Sequence, residues 1–196
     1  MISIAITGGI GSGKSYVSAL LKARGIPVYN ADNESKRLTA TDEEIRAGLV
    51  ALLGEEVYRE GSLNKPLLAS YLFAGPENAR RVNALIHPRV KADFRRWLEK
   101  HQDCEVVGLE SAILFEAGFE DTVDAVVMVY APEPLRLKRA MRRDGATEEQ
   151  IRRRMSAQMD DEEKRRRSHY VLLNDGSDSL DEQLANLILQ LKERKN

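Results

Sequence analysis

Residues Gly8-Gly9-Ile10-Gly11-Ser12-Gly13-Lys14-Ser15 match the spacing G-x-x-x-x-G-K-[ST] at every specified position. Glycine lets the backbone turn successive N–H groups inward with no side chain in the way. Gly8, Gly9, Gly11, Ser12 and Gly13 are therefore candidates for wrapping a row of phosphate oxygens. Lys14 can reach the outer phosphates and offset charge there, and the Ser15 hydroxyl is a candidate ligand for Mg²⁺. A glycine-rich turn that merely joins a strand to a helix has no need of a Lys-Ser pair behind it. The chemistry indicated is the binding of ATP or a similar triphosphate with Mg²⁺, and phosphoryl transfer where an acceptor is also bound.

Such loops serve kinases, switches and motors alike, so the reaction depends on other residues. Asn30-Ala31-Asp32 follows a short strand-like run, which in an open α/β sheet brings Asp32 to the edge where ligands bind. A carboxylate there can take the proton of an attacking hydroxyl, although position alone leaves this even with a plain role as a helix cap. Glu110 closes another strand-like run and reaches the same edge, either to organise Mg²⁺ and its waters or as a solvated strand-end acid. Leu114-Phe115-Glu116 and His87 are candidates for the acceptor side, with core packing and a structural histidine before Pro88 as the alternatives. Residues 136–167 hold twelve Lys or Arg against seven Asp or Glu. Arg136, Arg139 and Arg143 share one helical face, which suits closure over polyphosphate or a salt-bridged helix pair.

These side chains need a sheet edge to hold them. Ile2, Ile4 and Ile6 alternate with Ser3 and Ala5 just before the glycines, which predicts a buried strand over 2–7. Val106 to Leu109 and Ala125 to Tyr130 predict two more, and 27–29 and 170–173 predict weaker ones. Val82, Leu85, Ile86, Val90, Phe94, Trp97 and Leu98 keep one apolar helical stripe. Within it Pro88, having no N–H for the Ala84 carbonyl, predicts a kink or a restart. Ser179 and Glu182 predict a capping box that opens a last amphipathic helix through Leu191. Strands alternating with helices predict a mostly parallel sheet covered on both faces. From about residue 32 to 100 no strand is expected, and the segment is too long for a single crossover, so it reads as an inserted substrate-binding subdomain.

A chain of 196 residues suits one α/β domain with appendages. Thirty basic against thirty-one acidic side chains leave a net charge of -1, so no global field favours nucleic acid or an anionic membrane. The start has no basic leader pattern and no run approaches the ~20 apolar residues of a membrane span, so a cytoplasmic location is expected. Cys104 stands alone and cannot form an intramolecular disulfide. The guanine-reading Asn-Lys-x-Asp of a GTPase switch is absent, since Asn64-Lys65 is followed by Pro66-Leu67.

Taken in order, several segments resemble the dephospho-CoA kinase family nearly end to end. They are Thr7 to Ser15; Gly25-Ile26-Pro27-Val28 leading to Asn30-Ala31-Asp32; Leu85-Ile86-His87-Pro88; Leu114-Phe115-Glu116; Leu137-Lys138-Arg139 with Arg143-Asp144; Gln158; and Asn174-Asp175-Gly176. The resemblance implies a single α/β domain with a P-loop kinase core, a five-stranded parallel sheet, a helical acceptor-binding subdomain and an arginine-bearing lid. It divides the chain into a core of about 1–31, 103–134 and 168–196, an insertion of about 32–102 and a lid of about 135–167. It further implies ATP-dependent phosphorylation of the ribose 3′-hydroxyl of dephospho-CoA, with Mg²⁺ accompanying ATP as co-substrate. Asp32 would be the general base, Lys14 and Arg139 the phosphoryl stabilisers and Arg143 a helper. His87, Leu114, Phe115 and Glu116 would lie on the acceptor side, Asn174 and Gly176 near the adenine, and Tyr16 in the ATP site. No nucleic-acid or membrane partner is expected, and the chain is expected to be a monomer or weak homo-oligomer. Three positions depart from the family pattern: Asn30 stands where Asp is usual, Tyr16 where Thr is usual, and Ser111-Ala112 near a usual Pro. With Asp32 as the base, Asn30 costs the reaction little.

Overall fold

A computed structural model of the chain describes residues 1–193, so the end of the core segment expected to run to 196 lies outside the described residues. Two compact units form, one from Met1–Asn30 together with the chain from Leu98 onward, the other from Ala31–Trp97. The first begins with β1 (Ile2–Thr7), α1 (Lys14–Ala23) and β2 (Val28–Asn30). The second holds α2 (Ala31–Thr41), α3 (Glu43–Leu53), the short strands β3 (Tyr58–Arg59) and β4 (Ser62–Leu63), α4 (Lys65–Phe73) and most of α5 (Pro76–Glu99). The chain then completes the first unit with β5 (Val106–Glu110), β6 (Ala125–Tyr130), α6 (Glu133–Asp144), α7 (Glu148–Ser156), α8 (Asp161–Arg167), β7 (Tyr170–Leu173) and α9 (Leu180–Glu193).

The sheet of the first unit has the order β2-β5-β1-β6-β7. Every pairing in it is parallel, as the alternation of strand-like and helical segments predicts. The chain builds one side of β1 first and then crosses to the other, so the C-terminal ends of all strands share one edge, and β1 lies where the strand order reverses. All six residues of β1 are buried. Ile4 and Ile6 pack with Val17 and Leu21 of α1 and with Leu184, Leu187 and Leu191 of α9. Ser3, a polar residue inside this core, is satisfied by Asp124, whose Oδ2 accepts from its backbone N–H at 2.7 Å and from its hydroxyl at 2.8 Å. Glu182 N–H donates to the Ser179 hydroxyl at 3.4 Å at the start of α9. One turn later Gln183 lays its side-chain amide along the outer edge of β7. It accepts from Leu173 N–H at 2.8 Å and donates to Leu173 C=O at 2.9 Å.

In the second unit Leu38, Ile45, Leu49, Val57, Val82, Ile86, Val90 and Phe94 are buried. The Leu85 side chain lies where a Cβ on Gly48 would stand, which brings α3 and α5 close together. One sequence expectation is narrowed here and another is corrected. Helix α5 runs through Pro88 without restarting. Ala84, whose carbonyl Pro88 cannot satisfy, is an exposed residue, and the stripe from Val82 to Phe94 stays buried on both sides of Pro88. The segment expected to lack strands contains the β3-β4 hairpin, whose turn residues Glu60 and Gly61 both have positive φ, 49° and 78°. A hairpin of the type that needs two such residues usually signals itself by Asn-Gly or Asp-Gly, and glutamate hides it.

Asp42 caps α3, its carboxylate accepting from the N–H groups of Glu44 and Ile45 at 3.1 and 3.0 Å. It also receives Arg89 of α5 at 2.9 Å. Burial alone raises the Asp42 carboxyl, but the Arg89 hydrogen bond and the two backbone donors outweigh it and hold the group below its usual value. A depressed carboxyl contributes stability above the unfolded carboxylate pKa and loses it as pH falls through the folded value. Asp42→Ala is expected to lower the unfolding free energy by about 1–2 kcal/mol, the usual cost of a lost N-cap. Urea titrations at neutral and acid pH check this: the deficit should be present at neutral pH and shrink on acidification.

Candidate active site

The loop between β1 and α1 is shaped by backbone, and its glycines are held by neighbours from elsewhere in the first unit. Gly13 is the N-cap of α1 in the left-handed region, φ 105° and ψ 18°, and no side chain caps that end. The helix therefore turns its N-terminal N–H groups and positive end toward the strand edge, the arrangement that binds phosphate. A Cβ on Gly13 would strike the Asn174 side-chain amide, and one on Gly11, at φ 80°, would strike the Arg136 carbonyl. Lys14 folds over the loop and donates through Nζ to the carbonyls of Gly8 at 2.8 Å and Gly9 at 3.2 Å. Ser12 is fully buried, whereas Tyr16, on the first turn of α1, is exposed.

Beside the loop, Glu110 ends β5 nearly buried. Its Oε1 accepts the Ser15 hydroxyl at 2.8 Å and its Oε2 accepts the Asn30 side-chain amide at 3.1 Å. A hydroxyl next to a carboxylate, both hard oxygen donors at a helix N-terminus, suits Mg²⁺ carried by a triphosphate. The sequence candidates Ser15 and Glu110 are thus brought into direct contact. Asn30 joins them through a hydrogen bond that strand register between β2 and β5 would have suggested.

The arginines of α6 share a face but have different partners. Arg136 is buried and ion-paired with Asp161, and its guanidinium also donates to the carbonyls of Ala131 at 3.0 Å and Ile10 at 3.2 Å. Burial raises the Asp161 carboxyl, opposed by the charges of Arg136, Lys164 and Lys14, with a net upward shift. Arg139, half-buried, donates to the Asn174 carbonyl at 2.9 Å and side-chain oxygen at 3.4 Å. Asn174 in turn donates through its side chain to the Ser12 carbonyl at 2.7 Å, linking Arg139 to the loop. Arg143 is exposed and engages its neighbour Asp144 through two hydrogen bonds, 2.7 and 3.1 Å. The Arg143 and Arg154 hydrogen bonds hold the Asp144 carboxyl well below its usual value. Gln158 accepts from Ile10 N–H at 3.3 Å, and Gly176 lies in an exposed turn.

The 111–119 segment is pinned from beneath by Lys164, a fully buried cation that donates to the Ala112 carbonyl at 2.9 Å and pairs with Glu116 at 3.1 Å. The same Glu116 oxygen accepts Met159 N–H at 2.7 Å. Leu114 is fully buried and Phe115 nearly so, with Arg167 over the Phe115 ring at 4.5 Å. Leu114 and Phe115 therefore pack beneath the segment, and Glu116 carries its polar contacts. In the second unit Asp32 sits exposed in the first turn of α2, two residues after β2 ends. His87 is half-buried on α5, and burial, then the Lys91 charge, pushes its imidazole below the ordinary value.

Sequence reading did not anticipate the Arg136–Asp161 pair, the Lys164 strut or the bridging role of the Asn174 side chain. Asp161 and Lys164 lie in an acidic-to-basic run that reads as a solvated helix. The one available signal was that a helix leading into a parallel strand runs antiparallel to it, so the start of α8, at Asp161, lies toward the C-terminal ends of the strands.

A family model described as dephospho-CoA kinase matches residues 2–179. A dephospho-CoA kinase of Bacteroides fragilis is 55% identical over 194 residues, covering 98% of this chain and 94% of the relative. A crystal structure from Thermus thermophilus is 37% identical with a TM-score of 0.81, covering 96% of both chains. The dephospho-CoA kinase structure from Campylobacter jejuni, 20% identical with a TM-score of 0.72 over 99% and 98% of the two chains, shares the fold.

Gly11→Ala places a methyl group against the Arg136 carbonyl in a conformation that costs an L-residue about 1–2 kcal/mol. We expect a lower melting temperature and ATP affinity reduced by about tenfold or more in calorimetric titration. Unchanged affinity would remove the close packing of α6 on the loop as a determinant of its shape.

Proposed function

The chain belongs to the dephospho-CoA kinase family, and from that premise we propose that it transfers the γ-phosphoryl group of ATP to the ribose 3′-hydroxyl of dephospho-CoA, the last step of coenzyme A synthesis. The observation that carries this reading is the corner where the glycine loop, Lys14, Ser15 and Glu110 converge at the C-terminal edge of the sheet. The loop N–H groups hold the phosphates and Lys14 exchanges its carbonyl partners for phosphate oxygens. Ser15 and Glu110 hold Mg²⁺, which when bound neutralises charge on the β and γ phosphates. Asn174 and Gly176 line the adenine side, with Tyr16 at the outer turn of α1.

Asp32 takes the proton of the ribose hydroxyl as its oxygen forms the new bond to the γ phosphorus. The bond from that phosphorus to the bridging oxygen breaks, and its electron pair leaves with ADP. Residues of about 32–102 form the acceptor-binding insertion, with His87 neutral and available for hydrogen bonding. Glu116 bounds the acceptor from the core, and Leu114 and Phe115, buried beneath, hold its segment in place. Residues of about 135–167 act as a lid that excludes water. Arg139, tied to the loop through Asn174, is the first choice for stabilising the transferring group, and Arg143 assists after releasing Asp144. We place the reaction in the cytoplasm, carried out by a monomer or weak homo-oligomer without nucleic-acid or membrane partners. Among the described residues no helix is long and apolar enough to cross a membrane.

The test mixes purified protein and Mg²⁺-ATP with dephospho-CoA, AMP, CMP, shikimate or no acceptor, and follows ADP release together with acceptor mass. A phosphate-sized gain on dephospho-CoA alone is expected; transfer to a nucleoside monophosphate would overturn the acceptor. Asp32→Asn should lower turnover by about 10²–10⁴-fold, the range for a lost general base, with ATP affinity within a few-fold of the parent. Unchanged turnover would remove Asp32 from the base role.

A further inference from the structure

Asn30 and Glu110 are register partners on the last rung shared by β2 and β5, so their side chains leave the sheet on the same face. The Asn30 amide donates to Oε2 of Glu110 at 3.1 Å while the Ser15 hydroxyl donates to Oε1 at 2.8 Å. Each carboxylate oxygen has its own donor, and two anchors on different elements set the plane of the group. An aspartate at position 30 would set two like charges opposite each other on neighbouring strands, which is unfavourable unless a cation lies between them. The amide leaves the corner with a single carboxylate. Among the described residues no group of three or more His, Cys, Asp or Glu side chains is arranged to hold a metal ion.

We infer that Asn30 is a positioning residue that aims Glu110 at Ser15, and that a carboxylate in its place would give this corner a divalent-cation affinity of its own before any nucleotide binds. The inference rests on the reading of Ser15 and Glu110 as the Mg²⁺ corner. Mg²⁺ demands a nearly complete octahedron of hard oxygens and gives up water reluctantly. One carboxylate and one hydroxyl are too few to extract it from solvent, so phosphate oxygens and waters supply the remainder. Loss of the amide frees Glu110 to turn and weakens the advantage that Mg²⁺ confers on ATP binding. A carboxylate in its place creates a preformed cation site.

The experiment compares the parent chain with Asn30→Ala, Asn30→Asp and Glu110→Gln. ATP affinity is measured calorimetrically in Mg²⁺ and in EDTA, and nucleotide-free melting temperature is measured with and without Mg²⁺. The parent should melt at the same temperature with or without Mg²⁺. Asn30→Ala should reduce the ratio of Mg²⁺ to EDTA affinity several-fold, whereas a merely structural role would weaken both affinities alike and leave the ratio intact. Asn30→Asp should melt lower than the parent in EDTA and recover on addition of Mg²⁺ alone. The inference is overturned if Asn30→Ala keeps the parent ratio while Glu110→Gln loses it, or if melting of Asn30→Asp ignores Mg²⁺. If Glu110→Gln also keeps the ratio, the metal corner itself is wrong and the inference falls with it.

Discussion

At Gly11 and Gly13 there is no room for one more carbon atom, and most of the first unit is organised around that shortage of space. The Arg136 carbonyl occupies the position a side chain would take at Gly11, and the Asn174 amide does so at Gly13. The loop is therefore clasped from outside by α6 and by the turn after β7, elements that follow the strands on one side of β1. The direction of its N–H groups is not a local property of a glycine-rich sequence. It is inherited from the second half of the sheet.

Charge placement follows from the same packing. Arg136 with Asp161 is an ion pair drawn well out of water, and Lys164 is a buried cation whose partner Glu116 reaches the surface. Such pairs add little net stability compared with apolar residues of equal size, although removing one partner is costly, about 3–5 kcal/mol. What they contribute here is fixed position. Arg136 ties α6 to α8 and to the Ile10 carbonyl, and Lys164 ties α8 to the segment that follows Glu110. Helices that by composition look solvated are thereby anchored to the loop and to the end of β5.

Those attachments also explain which parts of the molecule the sequence discloses. Strand β1 and the phosphate loop are legible because alternation and glycine spacing are local signals, and a parallel sheet follows from the rhythm of strands and helices. The meeting of Ser15 and Glu110, 95 positions apart, was legible at one remove, since both were assigned to the strand edge on chemical grounds. The separate partners of Arg136, Arg139 and Arg143 were not. A helical wheel shows that they share a face, but which carboxylate or carbonyl waits opposite depends on distant chain. At Pro88 a local rule offered two outcomes, a kink or a restart, and the helix does not restart. The β3-β4 turn escaped notice because Glu60 adopts a backbone conformation more typical of asparagine or glycine.

Gln183 has a bearing on how this chain behaves in a crowded solution. A sheet's outermost strands offer unpaired N–H and C=O groups on which a foreign strand can build. Here β2 is three residues long and β7 four, and Gln183 already completes the Leu173 rung with its own amide, as a neighbouring strand would. An invading strand would have to displace that side chain and would then find few rungs to hold it. The long apolar strands at the centre never present a free edge, so the sheet that aims the phosphate loop is also shielded from templating aggregation.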